Sequence, residues 1–230
     1  MSTKGIAVLI PAFNEENSIG KVLADIPMDW VDEVVVVNNN SNDKTAEVAR
    51  NLGATVLDET KQGYGAACLK GIRYYQQKAI TPEILVFLDA DYSDYPEQLP
   101  LLVKPILEKQ IDMVIGSRAL GQQEPGSMTI PQRFGNWLAC SLLKLFYGVK
   151  FTDLGPFRAI RFSELLRINM QDETYGWTVE MQLKAAKFGL KSTEVPVDYK
   201  KRIGHSKISG TVKGTILAGY KILYTIFKYL

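Results

Sequence analysis

At 230 residues, 46% hydrophobic and 23% charged, the chain has the size and balance of one globular domain. A net charge of +2 gives no global case for nucleic-acid binding, so any basic surface must be local. A single histidine, His205, argues against a His-based zinc site or a Ser-His triad.

The chain enters a strand almost at once (MSTKGIAVLIPAFN), and no signal peptide is expected. Strands are predicted at Ile6–Ile10, Glu33–Val37, Ala54–Leu57, Ile84–Leu88 and Met113–Ile115. Helices are predicted between them at about Glu16–Ala24, Lys44–Asn51, Tyr64–Gln77 and Pro96–Glu108. This alternation implies a mostly parallel sheet with helices on both faces, an α/β single domain. The strands lack period-2 polarity, as strands covered on both sides do.

After Gly116 the pattern changes. A polar Gly/Pro-rich loop is expected over 117–130, then a helix from Pro131 to about Phe146. A short strand is expected at Phe157–Ile160, a helix at Thr178–Phe188 ended by Gly189, and a strand at Thr193–Tyr199. Residues 200–210 (KKRIGHSKISG) read as a basic loop, and a last helix follows. Cys68 and Cys140 lie in apolar helical stretches and read as core thiols of a reducing compartment.

The run Leu85–Leu88 ends abruptly in Asp89, Ala90 and Asp91. Open α/β sheets bind ligands at the carboxyl ends of their strands. Side chains two apart on a strand point the same way, so both carboxylates can share one target. Two like charges that close need a positive partner. Mg²⁺ or Mn²⁺ is the natural one, because hard cations take oxygen ligands and bridge to phosphate. The loops Pro11–Glu16 (PAFNEE) and Asn38–Thr45 (NNNSNDKT) should reach the same sheet edge, with Ser41 or Asp43 capping the next helix. Asn and Asp also make ordinary turns, but three such strand ends together read as a nucleotide site.

These segments, with Gly-x-Gly-x-Ala at Gly63–Ala67 and Leu-Asp-Ala-Asp at Leu88–Asp91, resemble the family 2 glycosyltransferases of GT-A fold. Thr152–Arg161 (TDLGPFRAIR), Tyr175–Ala186 (YGWTVEMQLKAA) and Glu194–Lys207 (EVPVDYKKRIGHSK) fit the branch that resembles polyprenyl-phosphate sugar synthases. The likeness runs in order along nearly the whole chain. It implies an inverting hexosyltransferase using a nucleotide sugar and a divalent metal. It divides the chain into a nucleotide-sugar half (1–116), an acceptor half (117–210) and an amphipathic helix (211–230).

The resemblance also implies roles for residues. Pro11, Ala12, Phe13 and Glu15 surround the base and ribose, and Asp89 and Asp91 hold the metal on the diphosphate. Asn39 stands where many relatives carry an acidic residue. Its amide offers an acceptor and a donor, matching uracil N3–H and O4 and favouring UDP over GDP. Gly63 and Gly65 open a helix whose N-terminus attracts anions. Arg118, Arg202 and Lys207 are assigned to the donor, with the loop around Gly204 closing over the diphosphate. Arg133 and Arg158 are assigned to a phosphorylated acceptor. Asp153, with Glu180 as the alternative, is the candidate base. Against the base stand two readings: Asp153 pairing with Arg158 or Arg161, or a phosphate acceptor that is already ionised.

In the last helix Ile216, Leu217, Tyr220, Leu223 and Phe227 share one side, with Lys213, Lys221 and Lys228 on another. Such a helix docks on its own domain or lies on a membrane, here the cytoplasmic face. Lys221 interrupts its apolar run, so it is not expected to span a bilayer. Alternatives remain: a glycosyltransferase with a soluble or glycan acceptor, a sugar nucleotidyltransferase, or a non-catalytic sugar-nucleotide binder. The nucleotidyltransferase would show a Gly-rich, Arg/Lys-bearing loop after the first strand, which PAFNEE lacks.

Overall fold

The computed structural model describes residues 5–204 and 212–230. Seven strands form one sheet: β1 (Ile6–Ala12), β2 (Glu33–Asn38), β3 (Thr55–Asp58), β4 (Ile84–Phe87), β5 (Met113–Ser117), β6 (Arg158–Arg161) and β7 (Ser192–Pro196). Their order is β3-β2-β1-β4-β6-β5-β7. Among the strands described, β6 runs antiparallel to both β4 and β5, and the other strand pairings are parallel. The mostly parallel sheet expected from the alternation is therefore present.

Among the described residues eight α-helices accompany it: α1 (Ile19–Asp25), α2 (Thr45–Asn51), α3 (Tyr64–Gln76), α4 (Leu99–Lys109), α5 (Ile130–Tyr147), α6 (Phe162–Ile168), α7 (Trp177–Lys187) and α8 (Val212–Lys228). The all-apolar strands still alternate. Val8, Ile10, Val36, Val86 and Leu88 face α1, α2 and α4, packing on Val22, Ala49, Leu102 and Ile106. Leu9, Val35, Leu85 and Phe87 face α3, α6 and α7, packing on Cys68, Ile72, Leu165, Trp177 and Met181. A third cluster joins α5, α7 and α8 through Cys140, Leu143, Val179, Leu183 and Ile226.

Several boundaries differ from expectation for local reasons. The first helix begins at Ile19, not Glu16, because Glu16 N–H donates to Asp43 and residues 15–18 form a turn on the Glu15 carbonyl. The fourth helical stretch opens as a 3₁₀ turn, Pro96–Gln98, before α4. Helix α5 starts one residue before Pro131, with Thr129 and Gln132 forming a capping box. Helix α6 was not expected; its buried Phe162, Leu165 and Ile168 span barely two turns, too short for a clear period. No described helix is long and apolar enough to cross a membrane.

Candidate active site

The ends of β1, β2 and β4 meet at one edge, as parallel neighbours in a sheet must. Their loops are stapled by the polar residues the sequence places there. Ser41 Oγ accepts from Asn14 N–H (3.0 Å), Thr45 Oγ1 from Glu15 N–H (2.7 Å) and Asp43 from Glu16 N–H (3.2 Å). Asn14 carries a positive φ of 53°, which Asn tolerates, and its side-chain oxygen accepts from Asn42 N–H. Asp43 also accepts from Thr45 N–H (3.0 Å) at the start of α2, so it holds that helix end. Ser41 instead serves the neighbouring loop.

Pro11, Ala12, Phe13, Glu15, Asn39, Gly63, Asp89, Ala90, Asp91 and Arg202 line one cavity of about 460 Å³. Tyr64 O–H donates to Asp89 Oδ1 (3.0 Å), while Ser93 N–H and Oγ–H donate to Asp91 Oδ1 (2.9 and 2.5 Å). Burial, and then the charge of Asp91, push the Asp89 carboxyl up to about 7. Tyr92, immediately after, has φ 62°, a strained value for a bulky residue at a strand end that carries polar chemistry.

The pair fits Mg²⁺ or Mn²⁺. Such ions bind through one or two carboxylates and take their other ligands from water and phosphate. Among the described residues no group of three or more His, Cys, Asp or Glu side chains could hold an ion alone. A positive group already sits there: Arg202 reaches Asp91 Oδ2 (3.2 Å) and Glu15 Oε1 (3.1 Å). Ile203 N–H, on the same segment, donates to the Asp91 carbonyl (3.0 Å). Lys207 lies outside the described residues.

A second cavity, about 290 Å³, shares Tyr64 and Asp89 with the first and also contains Arg118. Its walls include Pro131, Gly135 and Asn136 of α5, and Ala218, Gly219 and Ile222 of α8. Thr174 and Tyr175 line both cavities. Neither they nor Tyr64 were singled out from the sequence. The aromatic-rich Tyr175–Trp177 stretch, at the start of a helix, was the available signal.

Four of the expected site residues, Asp153, Glu180, Arg158 and Asn39, are engaged by the protein itself. Asp153 is 1% exposed and accepts three hydrogen bonds from Arg118: from N–H (2.8 Å), Nε (2.7 Å) and an Nη (2.7 Å). It is thus paired with Arg118 rather than with Arg158 or Arg161. Burial alone would depress the Arg118 guanidinium, but the Asp153 carboxylate more than reverses this and raises it. Glu180 is fully buried and accepts from Gln171 and Asp172 N–H and Tyr229 O–H, beside Lys184 (2.7 Å). Arg158 is also fully buried and donates to the carbonyls of Leu154, Gly155 and Thr178. Burial lowers its guanidinium to about 10. It braces the chain around these three carbonyls.

The Asn39 amide donates to the Glu59 (3.2 Å) and Lys61 (2.7 Å) carbonyls and accepts from Gly63 N–H (2.8 Å). Both its hydrogens are engaged, so it holds the 59–63 turn and has no donor left for uracil. Gly63 and Gly65 are required by packing: a Cβ on either would overlap the backbone of Asp172 and Glu173. Arg133, in contrast, is exposed on α5 and bonds only to the Gln123 side chain (3.1 Å) among the contacts described.

The sequence was overlooked at one further acid. Asp94, the third carboxylate of LDADYSD, is buried, and neither of its oxygens has a hydrogen-bond donor. It lines none of the cavities described.

The chain is similar to several known proteins. The family model for "Glycosyl transferase family 2" matches residues 7–168. An undecaprenyl-phosphate mannosyltransferase of Micrococcus luteus is 31% identical over 222 residues, covering 91% of this chain and 89% of that protein. A dolichyl-phosphate hexose transferase of Haloferax volcanii is 33% identical, over 92% and 90%. A Mycobacterium tuberculosis glucosyl-3-phosphoglycerate synthase, solved with Mn²⁺, UDP and glucosyl-3-phosphoglycerate, superposes with a TM-score of 0.76 at 23% identity. That match covers 97% of this chain and 79% of that one. The fold is thus the GT-A fold that the motifs implied, and the chain belongs to glycosyl transferase family 2.

Proposed function

We propose that the protein is an inverting hexosyltransferase that moves a hexose from a UDP-sugar, UDP-glucose first, to a polyprenyl phosphate. The observation that carries this reading is the pair of adjoining cavities that meet at Asp89. One is edged by three strand ends and suits a nucleotide sugar; the other lies between two apolar helices. Two relatives named for lipid-phosphate acceptors support the acceptor. The fold neighbour bound to UDP and Mn²⁺ supports the donor, which Asn39 no longer does.

In this reading residues 1–116 bind the donor, 117–210 the acceptor, and 211–230 face the inner surface of the cell membrane. Pro11, Ala12, Phe13 and Glu15 border the nucleoside. Asp89 and Asp91 hold Mg²⁺ or Mn²⁺, which when bound neutralises charge on the leaving diphosphate. Arg202 leaves Glu15 and Asp91 for the diphosphate, and its segment, with Lys207, excludes water. Arg118, held by Asp153, orients phosphate from the second cavity, with Arg133 at the outer rim. An acceptor phosphate oxygen is ionised near neutral pH and needs no base. That agrees with the engaged states of Asp153 and Glu180. The bond from the anomeric carbon to the donor diphosphate breaks as the bond to the acceptor oxygen forms on the opposite face.

The test is transfer of label from radiolabelled UDP-glucose or GDP-mannose to undecaprenyl phosphate in detergent. Metal-dependent label in the lipid phase from UDP-glucose is expected. Label from GDP-mannose alone would keep the acceptor and change the donor. Label only in water-soluble product would overturn the lipid acceptor.

A further inference from the structure

Among the described residues, ten of the nineteen exposed large apolar side chains lie on α5 and α8, helices of eighteen and seventeen residues. On α5 they form one stripe: Ile130, Phe134, Trp137 and Leu145, at i, i+4, i+7 and i+15. The other side of α5 (Ala139, Cys140, Leu143) packs in the cluster with Val179 and Leu183 of α7. Helix α8 repeats the arrangement. Thr225 and Ile226 are buried, while Ile216, Tyr220, Tyr224 and Phe227 stand in solvent. The helices lie against each other, with the Phe146 and Phe227 rings 5.7 Å apart. Monomeric soluble proteins rarely leave an apolar patch of this extent uncovered.

The charge carried by these two helices has one sign. Neither helix contains an Asp or Glu, whereas Arg133, Lys144, Lys221 and Lys228 lie on them. Lys221 pairs with Asp172 on the body (2.9 Å). Arg133 and Lys144, with Lys150 just beyond α5, line a cavity of about 590 Å³ that Trp137 and Phe151 also border. Apolar stripes edged by Trp, Tyr and cations match the chemistry of a membrane interface. A second copy of the chain would instead set these cations against their own kind.

We propose that the α5–α8 face docks on the surface of an anionic lipid bilayer. The inference rests on the lipid-phosphate reading above and deepens it. Docked this way, the cavity lined by Gly135, Ala218 and Gly219 opens toward the lipid. A lipid phosphate then has a route to Asp89 without its chain leaving the apolar phase.

The test is co-flotation of the full chain with phosphatidylcholine vesicles, with and without phosphatidylglycerol. Binding should be roughly tenfold or more weaker without the anionic lipid. Trp137→Glu with Tyr220→Glu, at positions 62% and 65% exposed, should leave thermal melting and UDP binding as in wild type. The same pair should lower binding to anionic vesicles by roughly tenfold or more. Wild-type protein that stays in solution would overturn the proposal, as would a double variant that floats like wild type. A concentration-dependent dimer that the double variant abolishes without vesicles would assign the face to self-association. Vesicle binding with no transfer to polyprenyl phosphate would refute the acceptor and leave the surface standing. Transfer in detergent without vesicle binding would do the reverse.

Discussion

Asp153→Asn neutralises a carboxylate that is 1% exposed and receives three donations from an arginine whose side chain is itself only 13% exposed. The guanidinium would remain buried with its charge uncompensated. Breaking such a pair costs about 3–5 kcal/mol, and the low end applies here because the amide oxygen still accepts one bond. Urea unfolding should therefore show a loss of about 3 kcal/mol. Combining Asp153→Asn with Arg118→Met removes the stranded charge and should recover at least half of that loss, since a buried pair replaced by apolar atoms is often neutral. A catalytic base would behave differently: turnover would fall roughly a hundredfold or more while stability held. A single variant as stable as wild type, or a double variant less stable than either single, would refute the pairing account.

Asp91→Asn keeps an acceptor for Ser93 N–H, so the fold should melt near wild type while transfer and metal binding are lost; normal turnover would sink the metal assignment. Arg158→Met leaves the Leu154, Gly155 and Thr178 carbonyls without their donor. It should lower stability by about 1–3 kcal/mol with the acceptor KM of the folded fraction unchanged. A raised KM with wild-type stability would restore Arg158 to the acceptor site. The Asp94 carboxyl is pushed well above its ordinary value by burial and then by Asp89 and Asp91. A carboxyl raised in the folded state holds a proton that the unfolded chain releases. Its stability contribution is full below the unfolded pKa and falls as pH rises through the folded one. Metal-free protein should thus lose stability as pH rises above the ordinary carboxylate range, and Asp94→Asn should flatten that slope. An unchanged slope would contradict the assignment.

The alternating strand pattern was legible because buried parallel strands are continuous apolar runs, and each of the five N-terminal runs became a strand within two residues. The donor crevice was legible for the same reason: the ends of parallel neighbours must share an edge, so Pro11, Asn39 and Asp89 had to converge. What stayed hidden were partnerships across large sequence separations. Arg118 and Asp153, or Glu180 and Tyr229, meet only through tertiary packing, and a buried arginine such as Arg158 reads in the sequence like a solvated one. The glycine pair was noticed for a ligand, and Gly63 does line the donor cavity, but the close approach of Asp172 and Glu173 to both glycines had no signal in the sequence. Helix α8 showed its amphipathic pattern, but its apolar counterpart on α5 could be matched to it only once both were placed.

Calorimetric titration of the protein with UDP and with GDP, each with and without Mn²⁺, tests the central claim most directly. The account predicts metal-dependent binding of UDP in preference to GDP, lost in Asp91→Asn. Binding of neither nucleotide with Mn²⁺ present would contradict it and leave the family resemblance as ancestry alone.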